Sequence, residues 1–193
     1  MAGKQAKILT HKDIQMALRR AGKSRYAARD RAIILLSVKA GLRAGEIAKL
    51  TWPMLCESSG RIGQSIELRD SAAKMGSGRS IPMHPALRTA LLHLRRDANA
   101  AAYEAVIRSE RGLAMRPSSV VNWFAVLYRE LGLEGCSSHS GRRTFITRAA
   151  RLVHKAGGSL RDVQLLAGHR SIQTTQRYID GNSDAQRRLV SLI

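Results

Sequence analysis

The sequence predicts an α+β protein that is mostly α-helical and carries one small antiparallel β-hairpin. Apolar residues recur at helical spacing over most of the chain, give way to short alternating β-branched stretches between positions 61 and 84, and return to helical spacing from Pro85. With 193 residues, the chain can bury a core without disulfides, and it shows no internal repeat or low-complexity linker. We therefore expect one domain over 1–193, with an N-terminal extension over about 1–9.

Three helices are predicted ahead of the hairpin. Thr10 and Asp13 form the pattern of a capping box at the start of the first helix. Gly41 is the expected end of the second helix. The third should end before Pro53, because a residue that precedes proline disfavours helical backbone angles. The predicted ranges are 11–22, 25–41 and 44–52.

The predicted hairpin has its strands in "RIGQSIELRD" and "GRSIPMH", which are joined by the glycine-containing turn "SAAKMGSG". From Pro85 onward the sequence favours helices throughout. Gly157 and Gly158 should end one of them, and Ser159 with Asp162 forms a second capping box at the start of the next. The later helices are predicted over 117–132, 142–158 and 160–168, with a tail helix over 182–193.

The charge of the chain predicts a polyanionic partner. Lys and Arg outnumber Asp and Glu by 33 to 14, which gives a formal net charge of +19. Nucleic acid is favoured over a membrane surface, because no amphipathic stretch gathers the basic residues on one face. A hydrophobic content of 44% argues against a disordered basic tail. Since no secretory signal or apolar spanning run is evident, we expect a cytoplasmic, nucleoid-associated protein.

No metal, cofactor or disulfide is expected. Cys56 and Cys136 are far apart and lack a CxxC partner. His84 and His93 have no carboxylate or thiol at a spacing typical of metal ligands. Tyr128 lies in an apolar helical pattern and is predicted to belong to the core.

Tyr178, in "AGHRSIQTTQRYIDG", is the candidate nucleophile. A phenol attacks poorly near neutral pH, since its ordinary pKa is about 10, and it needs a nearby base and a charge-compensated phosphate. Arg43 and Arg142 carry guanidinium groups that can bind phosphate oxygens. His139 precedes Arg142 by three residues, so on a helix the two would address one ligand.

Two further residues could complete such a site. Lys74, in the hairpin turn, could reach a leaving oxygen as a general acid, and His169 lies one short helix ahead of Tyr178. Each candidate alone has an ordinary structural reading: a solvated turn lysine, a hydrogen-bonded structural histidine, a half-buried tyrosine. What favours an active site is that all of these candidate residues occur together in one chain.

The ordered series "GLRAGEIAKLTW", "KMGSGRSIP", "HSGRRTF" and "LLAGHRSIQTTQRYI" resembles the catalytic domain of the tyrosine recombinases, the phage integrase family. The resemblance covers the chain from about Arg25 to Tyr178. It implies a metal-independent reaction in which the tyrosine attacks a DNA phosphate, forms a 3′-phosphotyrosyl link and frees a 5′-hydroxyl. That hydroxyl later attacks a partner strand.

The resemblance also implies a role for each candidate. Glu46 matches an acidic position after the first arginine, where it would orient the helix or pair with a basic neighbour. The implied roles are phosphate binding for Arg43 and Arg142, general acid for Lys74, assistance of proton transfer at the nucleophile for His139, phosphate contact for His169, and nucleophile for Tyr178.

Three features depart from the family pattern. Gly141 and Ala167 stand where the family usually has leucine, and the lost volume should loosen packing near the site. Because the catalytic pattern begins almost at once, we expect the family's usual N-terminal DNA-binding domain to be missing ahead of it. The chain would then resemble the short recombinases that invert fimbrial promoter segments, or be an integrase fragment that needs a partner.

The expected substrate is double-stranded DNA, bound by a homotetramer on two sites. An accessory DNA-bending protein or a partner recombinase is a further expected partner, and the tail after Asp184 is expected to exchange between protomers. Two alternative functions stay open: a type IB topoisomerase that relaxes supercoils, and a non-catalytic DNA-binding derivative. The outcome that the resemblance implies is integration, excision or inversion of a DNA segment.

Overall fold

The computed structural model describes residues 6–97, 104–178 and 190–191. Helices dominate these ranges and accompany a two-stranded antiparallel sheet, which confirms the predicted fold class. The helices are α1 (His11–Gly22), α2 (Ala27–Ala40), α3 (Ala44–Ala48), α4 (Pro85–Asp97), α5 (Pro117–Glu130), α6 (Ser140–Leu152), α7 (Leu160–Ala167) and α8 (Ile172–Gln176), and the strands are β1 (Ser65–Leu68) and β2 (Arg79–Pro82). Short 3₁₀ turns cover Trp52–Met54 and Val153–Ala156.

The helix boundaries follow local chemistry. At the start of α1, Thr10 Oγ1 accepts a hydrogen bond from the Asp13 backbone N–H, and the Asp13 carboxylate accepts one from the Thr10 N–H. Ser159 and Asp162 form the second capping box at the start of α7, where the Asp162 carboxylate accepts the Ser159 N–H over 2.7 Å. Both predicted capping boxes are therefore confirmed. Helix α2 ends at Gly41, whose φ of 65° lies in the left-handed region.

The hairpin is confirmed, with shorter strands than the sequence predicted. Ser65 pairs with Pro82 and Leu68 with Arg79. Ile66 and Ile81 face the core, while the turn between the strands is largely exposed.

One predicted helix is shorter than expected, and one predicted helical stretch is wrong. Helix α3 ends at Ala48 instead of continuing toward Pro53, and the chain next to it forms an isolated β-bridge between Thr51 and Ala105. The stretch 104–116 is not helical either. Arg108 bridges Ala114 around a turn in which Gly112 has φ 79°. The alternation of "VIRSERGLAM" around a glycine turn is a hairpin pattern, which explains why the helix does not continue there.

Two hydrophobic clusters form the core. The larger cluster contains residues from all five helices α1 through α5 and from the hairpin. The smaller cluster lies between α6 and α7 around Ile146, Val153, Val163 and Ala167. Tyr128 belongs to the larger cluster and is buried, as predicted. Helix α2 packs against α1, α4 and α6, so it connects the two clusters.

The packing of α6 on α2 corrects the expectation of looseness at Gly141. A Cβ atom at this position would lie 2.9 Å from Ser37 Cβ and 3.1 Å from Val38 Cγ1. The two helices approach closely because residue 141 has no side chain, so the space of the family's leucine is filled by α2. Ala167 is fully buried in the smaller cluster.

None of the described helices is long and apolar enough to cross a membrane. The predicted tail helix lies outside the described residues, apart from positions 190 and 191. Part of the predicted N-terminal extension packs on the domain. The Leu9 N–H donates to Thr144 Oγ1 over 2.8 Å, and the Lys7 N–H donates to the Gly135 carbonyl over 3.1 Å.

Candidate active site

A cavity of about 370 Å³ collects most of the predicted site residues. It opens where the beginnings of α3 and α6 meet the α7–α8 segment, between the two hydrophobic clusters. Five of the six predicted residues line it, and Lys74 does not. The lining residues are Ala6, Arg43, His139, Arg142, Arg143, His169, Thr174, Arg177 and Tyr178.

Arg142 is the most deeply placed of the cavity's cations. It is 4% exposed, and it donates from Nη1 to the Gly41 carbonyl over 2.7 Å and from Nη2 to the Ala167 carbonyl over 2.6 Å. Burial, followed by the nearby Arg43 charge, lowers the pKa of Arg142 to about 9, so the group remains charged at neutral pH. A guanidinium has five N–H donors, so these two bonds leave three for other partners.

Arg43 lies at the start of α3 and is held by Glu46. Its Nη1 is 2.7 Å from Glu46 Oε1, and its backbone N–H donates to Glu46 Oε2 over 2.9 Å. The Glu46 side chain is 1% exposed. Burial acts to raise the pKa of Glu46, but hydrogen bonds and charge from Arg79 and Arg43 outweigh it and lower the pKa. The predicted pairing of Glu46 with a basic neighbour is thus present in the structure.

His169 and Tyr178 stack against each other beside the arginines. Their ring centroids are 5.7 Å apart with 22° between the planes. His169 Nδ1 lies 2.9 Å from the buried Thr175 Oγ1, which leaves Nε2 available to a ligand. Burial, together with the charges of Arg142 and its neighbours, lowers the pKa of His169 to about 4. The ring is therefore neutral at physiological pH.

His139 precedes the first turn of α6 and is exposed at the cavity rim. Its carbonyl accepts the Arg143 backbone N–H over 2.9 Å, which fixes the backbone at the helix start. The sequence placed His139 and Arg142 beside one ligand, and both do line the same cavity. Arg142 points inward to its carbonyl acceptors while His139 faces solvent.

Lys74 lies in the exposed turn between β1 and β2, away from the cavity lining. The turn is nevertheless anchored near the site, because Arg170 Nη2 donates to the Met75 carbonyl over 2.6 Å. Asp70 Oδ1 accepts the Gly78 N–H over 2.8 Å and closes the base of the turn. The structure thus brings the Lys74 turn next to the α7–α8 segment without placing its side chain in the cavity.

Two lining arginines were missed by the sequence reasoning. Arg143 follows Arg142, and its Nε is buried without a hydrogen-bond partner in the described structure. Arg177 precedes Tyr178 and is exposed. The available signal was their adjacency to assigned residues. Sequence spacing alone could not show that Arg143 in α6 and Arg177 after α8 line the same cavity.

The chain is similar to known proteins over most of its length. A model of the phage integrase family matches residues 7–184. The tyrosine recombinase XerC of Rickettsia typhi is 31% identical over 157 residues, a stretch that covers 78% of this chain and 46% of that protein. The XerC of Rhizobium meliloti is 32% identical over 155 residues, with 79% and 45% covered. The chain thus spans about half the length of these curated relatives.

Solved structures share the fold. The crystal structure of XerA recombinase has a TM-score of 0.74 at 22% identity, covering 100% of this chain and 65% of that chain. The Tn1549 transposon integrase, solved in complex with a circular intermediate DNA, has a TM-score of 0.75 at 19% identity, with 100% and 67% covered. The arrangement of helices and hairpin is therefore common to these proteins.

Proposed function

The chain belongs to the phage integrase family, and we propose that it acts as a site-specific DNA recombinase through a 3′-phosphotyrosyl intermediate. The observation that carries the proposal is the convergence of Arg43, His139, Arg142, His169 and Tyr178 on one cavity. These groups supply a nucleophile, a proton acceptor and cations around the same space, which is what phosphoryl transfer to a tyrosine requires.

In the proposed reaction, Tyr178 Oη attacks the phosphorus of a DNA phosphodiester. The Tyr178 hydroxyl proton passes to His139 at the rim, a bond forms between the tyrosine oxygen and phosphorus, and the bond from phosphorus to the 5′ oxygen breaks. Arg43 and Arg142 bind the non-bridging oxygens, on which negative charge builds up. Neutral His169 contacts the same phosphate from Nε2.

The leaving 5′ oxygen takes a proton from Lys74. Because Lys74 lies in an exposed turn outside the cavity, the turn has to approach the cavity when DNA is bound. Its anchor at Met75 and the base of the turn at Gly78 limit how far the lysine travels. The reverse attack by a 5′-hydroxyl of another strand then releases Tyr178 and rejoins the DNA.

We further propose double-stranded DNA as the substrate, a homotetramer on two sites as the working assembly, and a location on the nucleoid in the cytoplasm. A net charge of +19 supports a phosphate-rich partner. Exchange of the segment after Asp184 between protomers, and help from a DNA-bending protein or a partner recombinase, belong to the same proposal.

Covalent capture tests the function. The protein is incubated in EDTA with fragmented genomic DNA from its source and denatured, and the DNA that stays attached is sequenced, with Tyr178→Phe as the matched control. We expect a discrete sequence with the wild type and none with the variant. Scattered fragments would favour a topoisomerase, and tight binding without attachment would favour a non-catalytic DNA-binding derivative.

A further inference from the structure

Arg79 is the most highly connected cation near the cavity, although it does not line it. Its side chain is 6% exposed. Nη1 and Nη2 donate to the two carboxylate oxygens of Glu46 over 3.2 and 3.1 Å. Nε donates to the Leu166 carbonyl over 2.9 Å, and Nη1 also reaches the Ser77 carbonyl at 3.2 Å. One guanidinium therefore joins the start of β2, α3 and the end of α7.

The Glu46 end of this network bears on Arg43. The Glu46 carboxylate is shared between Arg43 and Arg79, both of which contact Oε1. If Arg43 were the only cation beside the buried Glu46 carboxylate, all of its charge would be needed to balance that carboxylate. Because Arg79 supplies a second positive charge and a two-pronged contact, Arg43 keeps donors and charge for a ligand in the cavity.

The Leu166 end bears on Arg142 and His169. Leu166 is followed by Ala167, whose carbonyl accepts from Arg142, and by Gly168, which leads to His169. The Arg79 side chain fills the space beside Gly168. A Cβ there would lie 2.9 Å from Arg79 Nη1 and 3.0 Å from its Cδ, and Gly168 also has φ 61°. The turn that presents His169 is thus built against the Arg79 side chain.

We propose that Arg79 is a positioning residue of the active site. Through Glu46 it fixes the position of the Arg43 side chain. Through Leu166 it fixes the positions of His169 and of the Ala167 carbonyl that Arg142 binds. It does not touch the substrate. Because Arg79 opens β2, it also fixes the hairpin that carries Lys74 relative to the arginines. This inference rests on the proposed function. It assigns to Arg79 an effect on the rate of covalent attachment to DNA and no effect on the affinity for DNA.

The first test compares Arg79→Lys with the wild type on the DNA sequence recovered by covalent capture. Lysine keeps the charge but cannot donate to both Glu46 oxygens and to Leu166 together. We expect a similar dissociation constant for DNA and a single-turnover attachment rate lower by about 100-fold, which is the size of effect that a small misplacement of reacting groups produces.

Arg88→Lys is the matched control. Arg88 is also partly buried and donates from Nη2 to a backbone carbonyl, that of Ile62, but it lies outside the cavity network. If Arg79 only stabilises the fold, the two variants will lose thermal stability alike and both will attach to DNA at the wild-type rate well below their melting temperatures. That result would overturn the proposal.

Chemical rescue separates position from packing. In Arg79→Ala, methylguanidinium at millimolar concentration should restore part of the attachment rate, because the vacated space adjoins the groove formed by Ser77, Gly78 and Arg170. The same additive should leave Arg79→Lys unchanged, since the lysine occupies the space. Equal effects on both variants would argue against a vacated guanidinium site.

A DNA-free measurement keeps this inference separate from the proposed function. The NMR signals of the Arg43 guanidinium and the His169 ring should shift in Arg79→Lys and stay in place in Arg88→Lys. Unchanged signals would contradict the positioning role. A wild-type protein that never attaches to DNA would count against the proposed function. The NMR comparison would still test the positioning role of Arg79, because it needs no DNA.

Discussion

Arg142 divides one guanidinium group between the protein's own backbone and the proposed phosphate ligand. Its two Nη atoms hold the Gly41 and Ala167 carbonyls, which belong to the segments that lead to Arg43 and His169. A ligand in the cavity therefore meets a cation that already joins the two sides of the site. This explains why Arg142 is nearly fully buried while remaining part of the cavity wall.

Replacing Arg142 with lysine should reduce both stability and activity. A lysine ammonium cannot reach both carbonyls in the same plane, so at least one buried acceptor loses its partner, at a cost of about 1–3 kcal/mol in the free energy of unfolding. The attachment rate should fall by about 10²- to 10³-fold. Denaturant unfolding and single-turnover attachment measure the two effects, and a wild-type rate in the variant would refute the phosphate role.

His169 should make the protein more stable as the pH rises from about 4 to 6.5. Its native pKa of about 4 lies below the ordinary value of 6.5, so between these values the unfolded chain binds the proton that the folded chain does not. Unfolding in denaturant, measured across this window, should therefore show a positive slope of stability with pH. His169→Gln should lose the part of the slope that belongs to this ring, and identical slopes in both proteins would contradict the assignment.

At the scale of the elements, the contact of α6 with α2 determines where Arg142 lies. Gly141 brings the first turn of α6 against Ser37 and Val38, and the next residue is Arg142. A side chain at 141 would push the helices apart and move the guanidinium with them.

Gly141→Ala should lower the free energy of unfolding by about 1–3 kcal/mol, the usual cost of overpacking a tight contact. Gly45→Ala, in α3, is the control, because nothing lies within 4 Å of a Cβ at that position. Alanine there should be neutral or slightly stabilising in a helix. Denaturant unfolding of both variants provides the comparison, and equal stabilities would show that α2 can yield at no cost.

Local patterns predicted what local chemistry controls. The capping boxes at Thr10 and Ser159, the Gly41 helix end and the β1–β2 hairpin follow from a few neighbouring residues, and all are present. The stretch 104–116 is predicted as helix although "VIRSERGLAM" alternates around Gly112, and its bridge from Ala105 to Thr51 joins residues 54 positions apart. A long-range bridge of this kind leaves little trace in local spacing.

The same distinction holds for the candidate site. Family motifs identified five residues that do line the cavity, while Arg79 and Arg143 were not assigned a role. The place of Arg79 depends on which backbone carbonyls and carboxylates come close in the folded chain, as at Leu166 and Glu46. Lys74 was assigned correctly to a turn, but the distance of that turn from the cavity could not be read from the order of the motifs.

At the scale of the whole molecule, positive charge is in excess both overall and in the cavity. Arg43 and Arg79 share the Glu46 carboxylate, whereas Arg143 and Arg177 form no ion pair in the described residues. A single phosphodiester carries one negative charge. If the cavity binds a DNA phosphate as proposed, the surplus predicts that neighbouring phosphates contact this region too and that binding weakens with salt.

Arg143→Gln should reduce the salt dependence of DNA binding. On a duplex of random sequence, the slope of log affinity against log salt should become less steep by about 1, as expected for one lost phosphate contact. Arg20→Gln makes the same charge change at an exposed residue that already pairs with Glu130, at 2.9 Å. It should leave the slope unchanged. Fluorescence anisotropy over a salt series measures both, and equal slopes for all three proteins would refute the contact.

The packed segment before α1 has a practical consequence for anyone who engineers this chain. Lys7 and Leu9 are fastened to the loop before α6 and to α6 itself, and Ala6 lines the cavity. A purification tag or a fused module joined directly to Ala6 would therefore begin at the cavity. An inert tag there would obstruct the opening. A sequence-specific DNA-binding domain there would lie close enough to the cavity to determine which DNA site enters it.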